Sequence, residues 1–474
     1  MALLGQRRPS RPAKRREKES RPSSSDDGDD VVIDRLAHDG RGVARSRSGK
    51  TLFIERALPG ERVEIAVHAS RGRYDEAHVR RLITASNERV TPACCHFGRC
   101  GGCDLQHLAP EGQRRHKKQV LKEHCDREGV ALSPIETLFD EAFGYRRRAR
   151  LGVRVTSAGE RYLGYRLRGQ DRLFDIEQCP ILEPRLEALL KPLRALIDAL
   201  EAPRRLGHIE LMAGDEAVMV TLRQLKRVPA DIERWRAFAA EQGVLITMVA
   251  DREVRHGATE AERGEQDDET TLCHERLDEK AQTRLAYRPL GAETGPRVAV
   301  ESGDFLQVNA FVNRRLVSQV LDWCQAAGAE RVADLFAGVG NFSLALADRG
   351  VQVQAFEGRE SMVARLRDNA RANGLGQRLD AVRTDLSSAP PGLDRFDLVL
   401  LDPPRGGARD ICRALSESGP SHLIYISCEP ATLARDARLL IEGGYRVVQA
   451  AVAEMFPQTA HLEAVLMFER QSAS

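Results

Sequence analysis

From about residue 305 the chain alternates short apolar runs with helix-like segments, and this alternation limits the folds that the chain can adopt. Four apolar runs have the length of a strand, namely VADLF, VQVQAFE, FDLVLLD and HLIYIS, and helical patterns such as ESMVARLRDNARANGL separate them. Strands that are apolar on both faces are typical of a parallel sheet covered by crossover helices. The sequence therefore predicts an α/β domain over residues 305–474.

Glycines and acids stand where these predicted strands end. The first run is followed by Gly338 and Gly340, the second ends at Glu357, and Asp385 and Asp402 follow the next two strands. Ligands of open α/β sheets bind at the carboxyl ends of the strands, and an acid about 20 residues after such glycines typically accepts hydrogen bonds from a ribose. Each aspartate alone could also be a helix N-cap or a turn residue. Their recurrence at successive strand ends favours a binding site for a nucleoside-type cofactor.

The glycine turn lacks one feature of dinucleotide-binding loops. Such loops carry a third glycine in the pattern G-x-G-x-x-G, which receives a pyrophosphate. Here Asn341 and Phe342 follow Gly340 and the third glycine is replaced. A cofactor without phosphates fits this turn better, and S-adenosylmethionine is such a cofactor.

The run HLIYIS ends directly at Cys428, which Glu429 and Pro430 follow. A buried cysteine is usually a small hydrophobic residue. This one precedes a helical pattern over residues 431–440, whose first turn suits Pro430. Because a nearby helix start lowers the pKa of a thiol, we expect Cys428 to be a reactive group at the sheet edge.

Five motifs carry a resemblance to a known family. FLQVN at residue 305, DLFAGVGNFS at 334, LLDPPRGG around Asp402, YISCEPATLARD at 425 and HLEAVLMF at 461 follow the order found in the RNA 5-methyluridine methyltransferases. The resemblance implies a Rossmann-like class I methyltransferase domain in which Cys428 adds to C6 of uracil and Glu463 removes the C5 proton. Without the resemblance, a surface acid on an edge strand is the alternative interpretation of Glu463. The S-adenosylmethionine pocket is then expected to be lined by Gln307, Phe336, Asn341, Glu357, Asp385 and Asp402.

The chain has ten cysteines. It has neither the apolar core of a secretory signal nor a run of roughly 18 apolar residues, so we expect a cytoplasmic protein without disulfides. The stretch CCHFGRCGGC offers Cys94, Cys100 and Cys103, and Cys179, which precedes a proline, is the expected fourth thiol. Four thiolates can hold zinc or an iron–sulfur cluster.

The same cysteine pattern resembles the [4Fe-4S]-containing 23S rRNA methyltransferases, which implies a [4Fe-4S] cluster on these four residues. Cys95 stands where that subgroup is expected to have a proline, but the spacing favours Cys94 as the ligand. The remaining cysteines are expected to be packing or surface residues, namely Cys125, Cys273, Cys324 and Cys412.

The segments before the α/β domain read differently. Residues 31–90 alternate five short β-type runs with glycine turns, which predicts a small closed barrel of the TRAM or OB type. Its basic residues favour RNA binding, although a plain solvated surface is the alternative: Arg41, Arg45, Arg47, Lys50, Arg71, Arg73, Arg80 and Arg81. Residues 91–304 are expected to form an α+β iron–sulfur and RNA-binding domain with a polar, irregular insertion near 252–280.

Two further basic segments invite an RNA-binding interpretation. In YRRRARL, we expect Arg146, Arg147, Arg148 and Arg150 to grip phosphates. Residues 1–30 are Arg/Lys-rich and then acidic, which indicates a disordered tail that is either a nucleic-acid arm or a solubilising segment.

The combination of barrel, cysteine pattern and α/β domain resembles the 23S rRNA methyltransferases of this family, which implies an enzyme that methylates C5 of a uridine in 23S rRNA. We expect it to be a monomer. The tRNA-directed members of the family are expected to lack both the barrel and the cluster. The alternatives are the same chemistry on another rRNA uridine or on tRNA, and a non-catalytic RNA-binding iron–sulfur protein. The presence of Cys428 and Glu463 argues against the last of these.

Overall fold

The computed structural model describes residues 30–132, 134–251, 272–278, 283–291 and 293–471. The chain divides into two compact units, residues 1–87 and 88–474. The predicted N-terminal tail lies outside the described residues except for Asp30, which begins the first strand. In the described ranges, no helix is both long enough and apolar enough to cross a bilayer.

The first unit is a small barrel. Its strands are β1 (Asp30–Val32), β2 (Arg35–Leu36), β3 (Gly42–Arg45), β4 (Thr51–Glu55), β5 (Arg62–Ser70) and β6 (Tyr74–Thr84), in the order β1-β5-β6-β4-β3-β2. One short segment supplies both ends of this order, because β1 pairs with β5 and β2, two residues later, pairs with β3. The sheet therefore closes on itself, and the five predicted strands correspond to these six when β1 and β2 are counted as one bent strand.

The interior of the barrel follows from alternation along its strands. In β4, Leu52 and Ile54 are buried, whereas the residues on either side of each are partly exposed. Gly42 lies where a Cβ atom would be only 2.9 Å from the Cβ atom of Ala57. A side chain at this position would therefore push the barrel wall apart.

The first part of the second unit is built on a seven-stranded sheet. Its strands are β8 (Arg148–Val155), β9 (Arg161–Arg166), β10 (Leu173–Asp175), β11 (Leu206–Ala213), β12 (Val218–Gln224), β13 (Leu245–Asp251) and β14 (Leu272–Arg276), in the order β10-β9-β8-β11-β12-β13-β14. Neighbouring strands are antiparallel except for β12 and β13. Its helices are α2 (Pro184–Ala188), α3 (Leu190–Ala199) and α4 (Pro229–Gln242).

The polar insertion predicted near 252–280 is partly wrong. Residues 272–276 form β14, an edge strand that pairs antiparallel with β13, because backbone pairing along a sheet edge needs no apolar run. Residues 252–271 and 279–282 lie outside the described residues.

The C-terminal part carries an eight-stranded sheet. Its strands are β7 (Ile135–Leu138), β17 (Arg331–Leu335), β18 (Gln352–Glu357), β19 (Leu379–Arg383), β20 (Leu398–Leu401), β21 (His422–Ser427), β22 (Tyr445–Ala453) and β23 (Glu463–Arg470), in the order β19-β18-β17-β20-β21-β23-β22-β7. Only β23 runs antiparallel to its neighbours. The remaining helices are α1 (Pro110–Arg127), α5 (Ala310–Ala326), α6 (Ser343–Asp348), α7 (Glu360–Ala372), α8 (Arg409–Glu417) and α9 (Pro430–Glu442). A two-stranded ribbon, β15 (Leu285–Tyr287) with β16 (Val298–Val300), precedes α5.

This sheet confirms the predicted alternation of buried strands and helices, and its two faces carry separate apolar clusters. Two elements from the predicted central segment belong to it. The strand β7 pairs with β22, and apolar residues of α1 such as Val120 and Leu121 share a cluster with Leu433 and Leu440 of α9. The boundary at residue 304 stays a prediction.

Candidate active site

The carboxyl ends of the parallel strands form one edge, and the predicted glycine turn lies at its centre. Immediately after β17, Phe336 has a φ angle of 67° and Gly338 one of 57°, so the backbone is left-handed at both. Glu357, at the end of β18, accepts hydrogen bonds from Gly338 N (3.0 Å) and Arg359 N (3.0 Å). The carboxylate of Glu357, the predicted ribose-binding residue, thus holds the glycine turn in shape at the same sheet edge.

Two further predicted acids lie along this edge. The strand order reverses between β17 and β20, which is where open α/β sheets bind ligands, and Asp402 directly follows β20. Asp385, after β19, is exposed and accepts a hydrogen bond from Ser387 N (2.9 Å), and hydrogen bonds from Ser387 hold its pKa below the usual value.

Gln307 and Asn341 are held by residues outside the sheet. Gln307 is buried, and its carbonyl oxygen accepts a hydrogen bond from Arg147 Nε (2.7 Å). The side chain of Asn341 exchanges two hydrogen bonds with Asn313 (2.9 and 3.0 Å) and accepts a third from the Tyr287 hydroxyl (3.1 Å). All six residues predicted for the cofactor pocket are described, and four of them follow or end strands at one sheet edge.

Cys428 and Glu463 face each other across two antiparallel strands. Ser427, the last residue of β21, pairs with Ala464 of β23, so the register places Cys428 opposite Glu463. Directly opposite residues of an antiparallel pair point to the same face, with Cβ atoms roughly 4.5–5.5 Å apart. Glu463 is 6% exposed and Cys428 is half-buried. The antiparallel β23 thus brings an acid to the edge where the other strands end.

The charges around this pair oppose ionisation. Burial raises the pKa of Cys428, and the neighbouring carboxyl of Glu463 raises it further, whereas the Arg405 guanidinium lowers it. The expectation that a helix start would lower the pKa of this thiol is therefore wrong, because burial and the acids outweigh Arg405 and the backbone. Burial and Asp402 likewise raise the pKa of Glu463 well above its usual value, and burial raises the pKa of Asp402 to about 7.

Two residues near the site were quoted in motifs but given no role from the sequence. Arg405, in LLDPPRGG, is the cation beside Cys428. Asp334, in β17, is fully buried, accepts a hydrogen bond from the Ser343 hydroxyl, and has its pKa raised to about 7 by burial and by the carboxyls of Asp402 and Glu357. An acid inside the apolar run VADLF is the signal that could have marked Asp334.

The four predicted cysteine ligands line one pocket. Cys94, Cys100, Cys103 and Cys179 all contribute to its wall, whereas Cys95 is exposed and its sulfur accepts a hydrogen bond from Gln178. Burial raises the pKa of Cys103 and of Cys179 to about 12, so these thiols ionise near neutrality only beside a strong positive charge.

Two other side chains of the pocket suit an anionic, sulfur-rich group. The Tyr165 hydroxyl is buried and has no hydrogen-bond partner among the described residues, so it is free to donate to a sulfur atom inside the pocket. Arg146 also lines the pocket, and nearby thiols and phenols help to raise its pKa. Nevertheless, no three cysteine, histidine or acid side chains in the described ranges converge closely enough to bind a single ion.

The other cysteines have the environments expected from the sequence. Cys125, Cys324 and Cys412 are buried and Cys273 is exposed.

The arginine run is not the exposed phosphate grip that the sequence suggested. Arg147 is 4% exposed, and that part of the prediction is wrong. Arg146 lines the cysteine pocket, and Arg148 forms an ion pair with Glu210 (2.5 Å). Arg150 alone of the four is exposed, beside His208. The strand alternation of YRRRARL directs these charges to different surroundings.

The basic face of the barrel is also smaller than its composition indicated. Arg41 pairs with Asp39 (2.7 Å), Lys50 pairs with Asp75 (2.5 Å), and Arg81 pairs with Glu64. Five exposed arginines of the barrel form no ion pair within the described part of the chain, namely Arg35, Arg45, Arg71, Arg73 and Arg80. Arg71, Arg73 and Arg80, which lie close together in the sequence, are called here the barrel cations.

Family models match three parts of the chain. A TRAM domain matches residues 30–79, a methyltransferase domain matches 332–417, and tRNA (Uracil-5-)-methyltransferase matches 392–471. Together with the glycine turn and the strand order, these matches define a class I methyltransferase with an N-terminal TRAM domain.

Whole-chain relatives narrow this class. The chain is 50% identical to a protein of Chromohalobacter salexigens over 100% of this chain and 96% of that protein, and 45% identical to one of Halomonas elongata over 100% and 98%. Both relatives bear the name 23S rRNA (uracil(1939)-C(5))-methyltransferase RlmD. The chain belongs to this RlmD family.

A solved structure shares the fold over nearly the whole length. The tRNA (uracil-54, C5)-methyltransferase of Pyrococcus abyssi, in complex with S-adenosyl-L-homocysteine, superposes with a TM-score of 0.71 at 23% identity, covering 93% of this chain and 100% of that one. Since residues 30–87 are more than a tenth of this chain, the match includes part of the barrel. The expectation that tRNA-directed members lack the barrel is thus wrong for the Pyrococcus abyssi enzyme.

Proposed function

We propose that this chain transfers a methyl group from S-adenosylmethionine to C5 of a uridine in 23S rRNA, the one numbered 1939 in the names of its relatives. The observation that carries the proposal is the Cys428–Glu463 pair at the sheet edge that also carries the glycine turn and Asp402. A nucleophile and a base on one face, beside a cofactor edge, meet the needs of uracil C5 methylation.

Each residue has a role in this chemistry. Uracil C5 is a poor nucleophile until the Cys428 thiolate bonds to C6, which makes C5 enolate-like. S-adenosylmethionine, when bound, supplies the methyl group from a sulfonium centre. Glu463 then accepts the C5 proton, the electron pair of that bond restores the C5–C6 double bond, and the thiolate leaves C6.

The environment of the pair suits these roles. The raised pKa of Glu463 makes its carboxylate a stronger base once ionised. The carboxyls of Asp402 and Glu357 supply negative potential at the edge, which favours a cationic methyl donor over the neutral product. A base stacked in RNA cannot reach a half-buried thiol, so the target uridine has to leave the stack.

The function is tested with radiolabelled S-adenosylmethionine and transcripts of the 23S rRNA segment and of tRNA. We expect label in the rRNA segment, loss of label when the target uridine is changed to cytidine, and no label with Cys428→Ala. A transcript carrying 5-fluorouridine should form a covalent adduct at Cys428, since fluorine cannot leave C5 as a cation. Methylation of tRNA but not of rRNA would overturn the substrate, and an adduct at another cysteine would overturn the nucleophile.

We further propose that Cys94, Cys100, Cys103 and Cys179 hold a [4Fe-4S] cluster. One zinc ion would need its sulfurs about 2.3 Å from a single point, whereas a cluster presents a separate iron to each cysteine. Four thiols around one pocket support the cluster, as does the unpartnered Tyr165 hydroxyl in the described part of the chain.

The cluster is tested by metal analysis after anaerobic purification. We expect about four irons per chain, as in other four-cysteine clusters. Serine at any of the four positions should reduce the iron content, whereas the neighbouring substitution Cys95→Ser should leave it unchanged. Stoichiometric zinc without iron would refute the cluster.

A further inference from the structure

Three consecutive residues, Tyr145, Arg146 and Arg147, lie on an extended segment that runs past the cysteine pocket. The N–H of Arg146 donates to Ile181 O (2.8 Å), two positions after Cys179, and the N–H of Arg147 donates to Val308 O (2.9 Å), directly after Gln307. In extended chain, successive side chains point to opposite sides. The side chains of Tyr145 and Arg147 therefore point to one side of this segment, and the side chain of Arg146 points to the other.

Tyr145 reaches the loop that leads into Glu463. Its side chain is 1% exposed, and its hydroxyl donates to Pro457 O (2.8 Å). Pro457 belongs to the segment 454–462, called here the base loop, which ends where β23 begins at Glu463. The position of the base loop therefore depends in part on Tyr145.

Arg147 reaches both of the pocket residues that lie outside the sheet. Its Nε donates to Gln307 O (2.7 Å), and its guanidinium carbon lies 4.6 Å from the centre of the Tyr287 ring. The Tyr287 hydroxyl in turn donates to Asn341 Oδ1 (3.1 Å). One buried guanidinium thus supports Gln307 directly and Asn341 through one intermediate side chain.

Arg146, between them, lines the cysteine pocket together with Cys103 and Cys179. Four thiolates on a cluster carry net negative charge, and a buried charge is stable only when a partner of opposite sign is near. Arg146 is a cation in the wall of this pocket.

We propose that Tyr145, Arg146 and Arg147 form a junction through which a filled cysteine pocket holds both halves of the active site in place. Arg146 neutralises the cluster, Arg147 fixes the cofactor side, and Tyr145 fixes the base loop. The three are positioning residues, since none needs to touch RNA or the methyl donor. The role of Arg146 rests on the cluster proposed above, whereas the contacts of Tyr145 and Arg147 do not.

The junction predicts that removing iron affects distant sites. Holoprotein and anaerobically chelated apoprotein are compared by calorimetry with S-adenosylhomocysteine and by hydrogen exchange of residues 454–463. We expect the apoprotein to bind S-adenosylhomocysteine roughly tenfold more weakly, the scale of one hydrogen bond to a charged group, and to exchange faster in the base loop. Equal affinity and equal exchange in the two forms would overturn the coupling.

Single substitutions separate the two arms. Arg147→Met should weaken S-adenosylhomocysteine binding roughly tenfold with unchanged iron content, and Arg147→Lys, which can still donate to Gln307 O, should recover part of the loss. Tyr145→Phe should accelerate exchange in the base loop while leaving this affinity unchanged. The matched control is Arg154→Met, an exposed arginine of β8, which should alter neither quantity. Wild-type binding by Arg147→Met, or wild-type exchange by Tyr145→Phe, would refute that arm.

The central residue is tested by the redox properties of the cluster. Removing a positive charge disfavours the more negative reduced state, so Arg146→Met should make the reduction potential more negative, and Arg146→Lys should shift it less. An unchanged potential in Arg146→Met would refute its role. If the protein holds no iron at all, the cluster proposal and the coupling of the cysteine pocket to the active site both fail, and the Arg147 and Tyr145 variants then test only the contacts of those two residues.

Discussion

Glu463 is the first residue of the buried strand β23, where burial and the Asp402 carboxyl oppose its ionisation. The pKa of its partner Cys428 is raised as well, and the two residues lie opposite each other beside Asp402. Because the negative charge of one carboxyl raises the pKa of its neighbours, ionisation of one of these groups opposes ionisation of the others.

Glu463→Gln should separate methyl transfer from product release. Glutamine is nearly isosteric but cannot accept the C5 proton, so a methylated uridine should remain bonded to Cys428. Loss of a general base typically costs on the order of 10²–10⁴-fold, so the adduct should persist long enough to be seen as a slow band on a denaturing gel. A variant that turns over normally without an adduct would place the base elsewhere.

The rate at which methylated RNA is released from Cys428 in a single turnover should rise with pH through the neutral range. The pKa of Glu463 is raised by burial and by Asp402, so its basic form accumulates only as the pH rises above its usual range. Asp402→Asn removes a like charge, lowers the pKa of both Glu463 and Cys428, and should move the rise to lower pH. Saturating S-adenosylmethionine keeps binding effects out of the measurement.

The control for this shift is Asp385→Asn, which changes an exposed acid at the same sheet edge that does not raise the pKa of Glu463. Its pH profile should keep the wild-type midpoint. If Asp402→Asn leaves the midpoint of the pH profile unchanged, the proposed effect of Asp402 on the pKa of Glu463 is contradicted.

At this scale the sequence was informative where a residue stands at a strand end. Cys428, Glu357 and Asp402 could be located because apolar runs mark the strands and the next polar residue marks the edge. The raised pKa of Cys428 could not be predicted, because it depends on burial and on Glu463, which approaches from an antiparallel strand beginning 35 positions later.

The base loop is hydrogen-bonded to helix α1 as well as to Tyr145. Gln113 of α1 donates to Gln458 Oε1 (3.0 Å) and accepts from Gln458 N (2.8 Å), and Lys117 donates to Phe456 O (2.9 Å). Gln458 adopts a φ angle of 68°, rare for a residue with a side chain, while its carbonyl oxygen accepts from Asp104 N and Leu105 N. These hydrogen bonds hold the loop in a strained conformation just ahead of Glu463.

Gln113→Leu should therefore destabilise the protein. It leaves buried polar groups of the base loop without partners, which costs roughly 1–3 kcal/mol each, so we expect the free energy of unfolding to fall by about 3 kcal/mol. Gln119→Leu makes the same change on the exposed face of α1 and should stay within about 0.5 kcal/mol of wild type. Urea denaturation measures both, and equal stability of the two variants would contradict the assigned role of Gln113.

The elements themselves were largely predictable, whereas their lateral partners were not. The helical pattern after Cys428 and the parallel strands appear where periodicity placed them. The directions of Arg146 and Arg147 depend on which strands lie to either side, and no local pattern encodes that. For the same reason the edge strand β14 was interpreted as irregular chain.

For the molecule as a whole, RNA affinity should depend on the barrel cations. Each phosphate contact contributes close to one unit to the slope of log K against log salt. Replacing Arg71, Arg73 and Arg80 together by alanine should weaken binding of the 23S segment and reduce that slope by up to about three. Filter binding at several salt concentrations gives both values.

Arg81→Ala serves as the comparison, because Arg81 is already paired with Glu64. Arg81→Ala should change the slope much less than replacing any one of the barrel cations by alanine does. A triple variant with the wild-type slope would remove the barrel cations from the RNA-binding surface.

The pairing of β7 with β22 has a consequence for how the chain is made. Ile135 lies beside Ala450, more than 300 positions later. At roughly 5–20 residues per second, β7 has left the ribosome on the order of 15–60 s before its partner emerges. Throughout that interval an unpaired strand edge is exposed, a state prone to aggregation. The sheet is completed only when nearly the whole chain has been synthesised, so chaperone protection of the nascent N-terminal half should matter more for this protein than for one whose sheet forms in chain order.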